Sequence, residues 1–172
     1  MAIIKSFGGK HPKIAASAFI ADNAVIIGDV EIGENASIWY GCMIRGDVNY
    51  IRIGDGTNVQ DNSTIHVSRY HGPTILGKGI TIGHSVVLHA CDLHDYSFVG
   101  MGSVLLDGSK IETHGMLAAG SLLTPNKIVA KNELWAGSPA KLFRAMKPDE
   151  IEYIYTSEQN YIRLGAEHKA EV

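Results

Sequence analysis

The apolar positions along the chain recur every six residues. Aliphatic side chains stand at Ile14, Ile20, Ile26, Ile32, Ile38 and Ile44, again at Ile53, Val59 and Ile65, again at Leu76, Ile82 and Leu88, and then at Leu93, Val99, Leu105, Ile111, Leu117 and Leu123, which makes eighteen hexads. The position after the aliphatic residue is often glycine (Gly33, Gly54, Gly77, Gly83, Gly100), and the fifth is usually small or β-branched, as at Ala18, Ala36, Thr57, Ser63, Val86 and Ser103. A helix needs spacings of three and four and a single amphipathic strand a spacing of two, so neither explains this period. Short strands joined by tight turns, repeated along the chain, do explain it. Farther on, Pro148, Asp149 and Glu150 mark a helix start, and Ile151, Ile154, Tyr155, Glu158 and Ile162 follow at helical spacing. One helix is predicted over about 149–168.

This pattern resembles the hexapeptide-repeat family, whose members fold as a left-handed parallel β-helix with three hexads per coil. The resemblance covers residues 14–130 and implies an all-β fold: a β-helix of about six coils with the C-terminal α-helix packed along it. The handedness belongs to the resemblance, because parallel crossovers are otherwise right-handed. The aliphatic positions would point inward and stack at the roughly 4.8 Å strand spacing. Residues 1–172 are read as a single domain.

Composition narrows the function. With 45% hydrophobic and 19% charged side chains the chain is neither disordered nor a coiled coil, and its 19 glycines follow no collagen period. The net charge of −3 offers no basic stripe, so no nucleic acid is expected. No apolar run approaches the roughly 20 residues that span a bilayer, and MAIIKSFGGKHPKI lacks a signal-like stretch. The expectation is a cytoplasmic protein with no membrane contact, in which Cys42 and Cys91 stay reduced. Cys42 occupies a small-residue position and is expected inside; Cys91, close to His89, is a candidate for redox sensitivity.

Three of the eight histidines, His66, His84 and His89, fall in the middle coils. Assigning the hexads at Ile53, Val59 and Ile65 to faces one, two and three makes SRYHGPT a loop, after which Leu76, Ile82 and Leu88 repeat the faces. His66 and His89 each follow a third-face aliphatic residue in adjacent coils. They should stand one above the other, near enough for both imidazoles to reach one ion at about 2.0–2.1 Å. Arg45, after Ile44, heads the same ladder. His84 lies two residues after a second-face aliphatic, at a corner, and would meet their counterparts in a neighbouring chain. A closed cyclic homotrimer would then hold three sites of three histidines each. Three neutral histidines with a fourth position open suit a catalytic zinc. His11, His114 and His168 fit no such pattern and are read as solvated or locally hydrogen-bonded.

Arg45-Gly46-Asp47, Asn58-Val59-Gln60-Asp61 with His66, and Gly83-His84 through Leu88-His89 lie on successive coils and together resemble the γ-class carbonic anhydrases. The resemblance implies a lyase: metal-dependent reversible hydration of carbon dioxide to bicarbonate by a metal-bound hydroxide at a trimer-interface site. His66 and His89 of one subunit and His84 of its neighbour would ligate the ion. Gln60 would hydrogen-bond the bound water or bicarbonate, Arg45 would pair across the interface with Asp47 or Asp61, Asn58 could position carbon dioxide, and Tyr161 could line the site. The ion would be Zn²⁺, with Fe²⁺ or Co²⁺ possible, since three imidazoles accept all of them.

The chain departs from the family pattern at its proton shuttle. Val48 follows Asp47 and Arg69 follows the first ligand by three, where acidic residues would stand. His71 is a replacement candidate, because imidazole ordinarily titrates near 6.5. Alternative readings are a catalytically weak or inactive scaffold of the same family, a thioester hydrolase using the same metal site, and a hexapeptide acyltransferase using one histidine as general base.

Overall fold

A computed structural model describes residues 1–171. The chain forms a left-handed parallel β-helix of about seven turns, followed by one helix, Pro148–Ala170. One face is a parallel sheet of Phe19–Ile20, Ser37–Ile38, Asn58–Val59, Thr81–Ile82, Phe98–Val99, Met116–Leu117 and Glu133–Gly137. The other two faces belong to one twelve-stranded sheet, because Val25–Ile32 and Met43–Ile53 run unbroken round a corner of the prism. The break in the hexads between Ile44 and Ile53 is therefore continuous strand. There the backbones approach so closely that a Cβ on Gly28, at φ +83°, would lie 2.2 Å from the Gly46 carbonyl oxygen. Only glycine fits.

The inward positions stack in the register that the hexads imply. Ile44, Ile65, Leu88, Leu105 and Leu123 follow one another on the third face, and Val59, Ile82, Val99 and Leu117 on the second. All nine are buried, each contributing about 1.5–3 kcal/mol by leaving water.

Three elements lie outside the hexad reading. The solenoid extends one turn beyond the expected six coils through Ile128–Val129 and Glu133–Gly137, with Trp135 above Leu117 where an aliphatic residue would mark a hexad. A hairpin then closes the end, Ala140–Ala145 pairing antiparallel with Glu133–Gly137. At the other end Ile3–Lys5 adds a strand beside Val25–Ile32.

The helix covers the second face, crossing Phe19–Ile20, Ser37–Ile38, Asn58–Val59 and Thr81–Ile82. It buries Ile154, Ser157 and Gly165. Its first turn is anchored by Glu150, which receives two bonds from the Arg144 guanidinium at 2.8 and 2.6 Å and one from the Lys147 amide at 2.9 Å. Near its end Tyr161 and His168 pack edge-on against Trp39, with centroids 5.6 and 5.0 Å away. Among the described residues no helix is long and apolar enough to cross a membrane.

Candidate metal centre

Two clusters of polar side chains occupy different edges of the prism. The first is on the third face, where Thr64–His66 and Val87–His89 are adjacent parallel strands and His66 is the register partner of His89. Their rings lie 5.1 Å apart between centroids. His66 Nε2 donates to Asp47 Oδ1 at 3.0 Å, and the Arg45 guanidinium grips the other oxygen of the same carboxylate. Burial alone would raise the Asp47 carboxyl, but the bonds from His66 and Arg45 outweigh it and hold it below its ordinary value. On the next coil His89 Nδ1 is bonded to Asp107 Oδ1.

The second cluster sits at the corner following Asn58–Val59 and Thr81–Ile82. His84 Nδ1 lies 2.9 Å from Asp61 Oδ2, and the same carboxylate receives the Tyr40 amide through its other oxygen. Ser85, next to His84, turns the chain with φ 58°. Gln60 donates from Nε2 to Asn58 Oδ1 at 3.1 Å. Beside Gln60 and His84 opens a cleft of about 370 Å³ between the second face and the helix, with Phe98, Met101, Met116 and Tyr161 on its walls. Burial, and then the Asp61 charge, push the Tyr161 hydroxyl above its ordinary pKa. It stays protonated.

The donor set fits a divalent ion. Each of the three imidazoles has one nitrogen against a carboxylate, Asp47, Asp61 or Asp107, and among the described residues the other nitrogen carries no hydrogen bond. Carboxylate–imidazole pairs of this kind set ring orientation and tautomer in metal sites. Among the described residues no three ligand side chains of one chain converge on a common position.

Sequence reasoning named most of these groups. Asn58 is fully buried within the chain and accepts a hydrogen bond from Gln60. Within the chain Arg45 pairs with Asp47, while Asp61 braces His84. Asp107 was not picked out, although it stands two residues after Leu105, on the coil that follows His89 in the same ladder. His71 is exposed, with Nε2 3.9 Å from Asp107 Oδ2. Cys42 is buried, its thiol pushed up to about 11 by desolvation; Cys91 is buried as well, and desolvation raises its thiol above the ordinary value. Neither is a ready thiolate. His11 bonds Ser6 locally, whereas His114 and His168 make long-range bonds that tie the helix to the solenoid, to Tyr155 and Tyr40.

Comparison with known proteins bears on what these clusters do. Residues 11–46 match the bacterial transferase hexapeptide family (six repeats). Gamma carbonic anhydrase 1, mitochondrial, of Arabidopsis thaliana is 48% identical over 94% of the chain, which spans 61% of that relative's length. The carbonic anhydrase of Geobacillus kaustophilus is 43% identical, covering 98% of the chain and 92% of its own length. Among solved structures, a hexapeptide transferase family protein from Anaplasma phagocytophilum is 53% identical and superimposes with a TM-score of 0.92, covering 95% of this chain and 96% of its own.

Proposed function

Because the chain belongs to the γ-class carbonic anhydrase-like family of hexapeptide-repeat proteins, we propose that it catalyses reversible hydration of carbon dioxide to bicarbonate at a metal site shared between two subunits of a homotrimer. The observation that carries this reading is the division of the machinery. His66 and His89 share one face, whereas His84 and Gln60 share another edge of the prism. A cyclic trimer of three-sided prisms would bring the second edge of one copy to the third face of the next, completing a three-histidine site. Zn²⁺ held there, or Fe²⁺ or Co²⁺ in its place, supplies Lewis acidity that brings the pKa of water down toward about 7.

The chain's own residues do the rest. Asp47, Asp61 and Asp107 fix the orientation of His66, His84 and His89, so that each presents its bare nitrogen. Gln60 keeps its carbonyl oxygen and one N–H free: the first accepts a hydrogen bond from the reacting water, the second donates to an oxygen of the carbon dioxide. The apolar walls of the cleft, with Tyr161 held protonated, suit a neutral substrate and disfavour the bicarbonate anion. Protons released by the reaction leave through His71, the exposed imidazole nearest Asp107.

A catalytically weak scaffold is the second reading, favoured by Val48 and Arg69 where the family's shuttle carboxylates would stand. Stopped-flow carbon dioxide hydration by purified protein of known metal content, with His89→Ala alongside and the metal exchanged, separates the two. Metal-dependent hydration lost in the variant supports the hydratase. A metal-loaded trimer that stays inactive with every ion supports the scaffold.

A further inference from the structure

The carbonyl oxygen of Ile80 sets the direction of a hydrogen-bond chain that ends on the C-terminal helix. A backbone carbonyl only accepts, so the Asn58 atom 3.3 Å from it is the amide nitrogen Nδ2. The same nitrogen donates to Thr81 Oγ1 at 3.0 Å. Asn58 Oδ1 must then face Gln60, which gives one Nε2 hydrogen to it at 3.1 Å. Thr81 Oγ1 also shares a hydrogen bond with Ser157 Oγ, 2.9 Å away on the helix, in which either hydroxyl can donate. Asn58, Thr81 and Ser157 are 0%, 1% and 5% exposed, and bulk water is not at hand to replace a lost partner.

An amide side chain can occupy its site in two orientations, with oxygen and nitrogen exchanged. Only one lets Gln60 present a carbonyl oxygen to the reacting water. Resting on the proposed role of Gln60, we infer that Thr81 and Ser157 are positioning residues that hold the Asn58 amide, and through it the Gln60 amide, in the orientation the Ile80 carbonyl selects, so that seating of the C-terminal helix supports the hydrogen-bond polarity of the site. The helix is thereby part of the catalytic apparatus through a hydroxyl pair that touches neither metal nor substrate.

The network needs no metal, which allows a test apart from turnover. Side-chain amide hydrogen exchange is followed by ¹⁵N NMR in the metal-free full-length protein. The Gln60 amide should exchange about tenfold more slowly than that of exposed Asn160, in proportion to one net hydrogen bond. Thr81→Val, which leaves Asn58 Nδ2 only the Ile80 carbonyl, should reduce that protection by about fivefold, Ser157→Ala should reduce it by about threefold, and Thr81→Ser should restore it. In the loaded enzyme Thr81→Val should lower kcat with KM for carbon dioxide unchanged, and should do nothing further in a Gln60→Ala background. Unprotected Gln60 in the wild type, or protection unchanged in both Thr81→Val and Ser157→Ala, overturns the inference. So does an undiminished effect of Thr81→Val in the Gln60→Ala background, which would mark a purely structural role. A wild-type protein without hydratase activity refutes the proposed reaction instead, and the exchange comparison then decides on the network alone.

Discussion

His66 and His89 are direct register partners on adjacent strands, and each ring is braced by a different carboxylate, Asp47 for the first and Asp107 for the second. The pair is thus two imidazoles with bare nitrogens at one coil spacing. Asp107→Asn removes the charge that orients His89, and should weaken metal binding by about 10–100-fold with the trimer intact. A titration against a competing chelator measures this. Unchanged affinity would show that His89 is oriented by the strand alone.

His71 is 64% exposed and lies on the loop that leaves His66, on the Asp107 side of the site. Proton export through it should limit turnover only when no buffer carries the proton instead. His71→Ala is expected to lower kcat by about 100-fold in dilute buffer, the lower end of the usual scale of a lost acid–base group, and added imidazole should restore it. An unchanged rate in dilute buffer rules His71 out.

The helix start supplies a pH dependence of known sign. The Arg144 guanidinium, and then the Lys147 amide, hold Glu150 down to about 2, below an ordinary carboxylate value of 4.5. A carboxylate depressed on folding stabilises the folded state fully above its unfolded pKa and loses that contribution as pH falls through its folded value. Docking of the helix should therefore weaken between about pH 4.5 and pH 2. Glu150→Gln should melt at a lower temperature at pH 7 and lose that part of the acid dependence, as followed by circular dichroism. A melting temperature equal to the wild type at pH 7 would show that the ion pair adds nothing.

Most of the fold was legible because its signal is periodic. Eighteen aliphatic positions, six residues apart except at three breaks, fix the faces, and the faces alone place His66 over His89 and send His84 to another edge. The hidden parts lack that period. Trp135 continues a coil without an aliphatic mark, and the hairpin at Ala140–Ala145 and the strand at Ile3–Lys5 answer to the open ends of the solenoid, not to any local pattern. At the site, residue types pointed to chemistry but not to burial. Asn58 is a candidate substrate contact by the resemblance alone, and its burial, with bonds to Gln60, Thr81 and the Ile80 carbonyl, is not written in its residue type. Asp107 escaped because its residue type is common at corners; only its distance to His89 gives it a role.

The central claim is that one metal site takes His66 and His89 from one chain and His84 from the next, and mixing inactive variants tests it most directly. His84→Ala and His89→Ala homotrimers should each lack metal and activity. In any mixed ring one interface joins an intact His66–His89 face to an intact His84 edge, so random assembly from equal amounts should restore roughly a quarter of the wild-type sites. Recovery of metal and hydration near that level is the predicted result. Mixed trimers, verified by differential tagging, that recover neither would contradict the account and place all the ligands of a site within one chain.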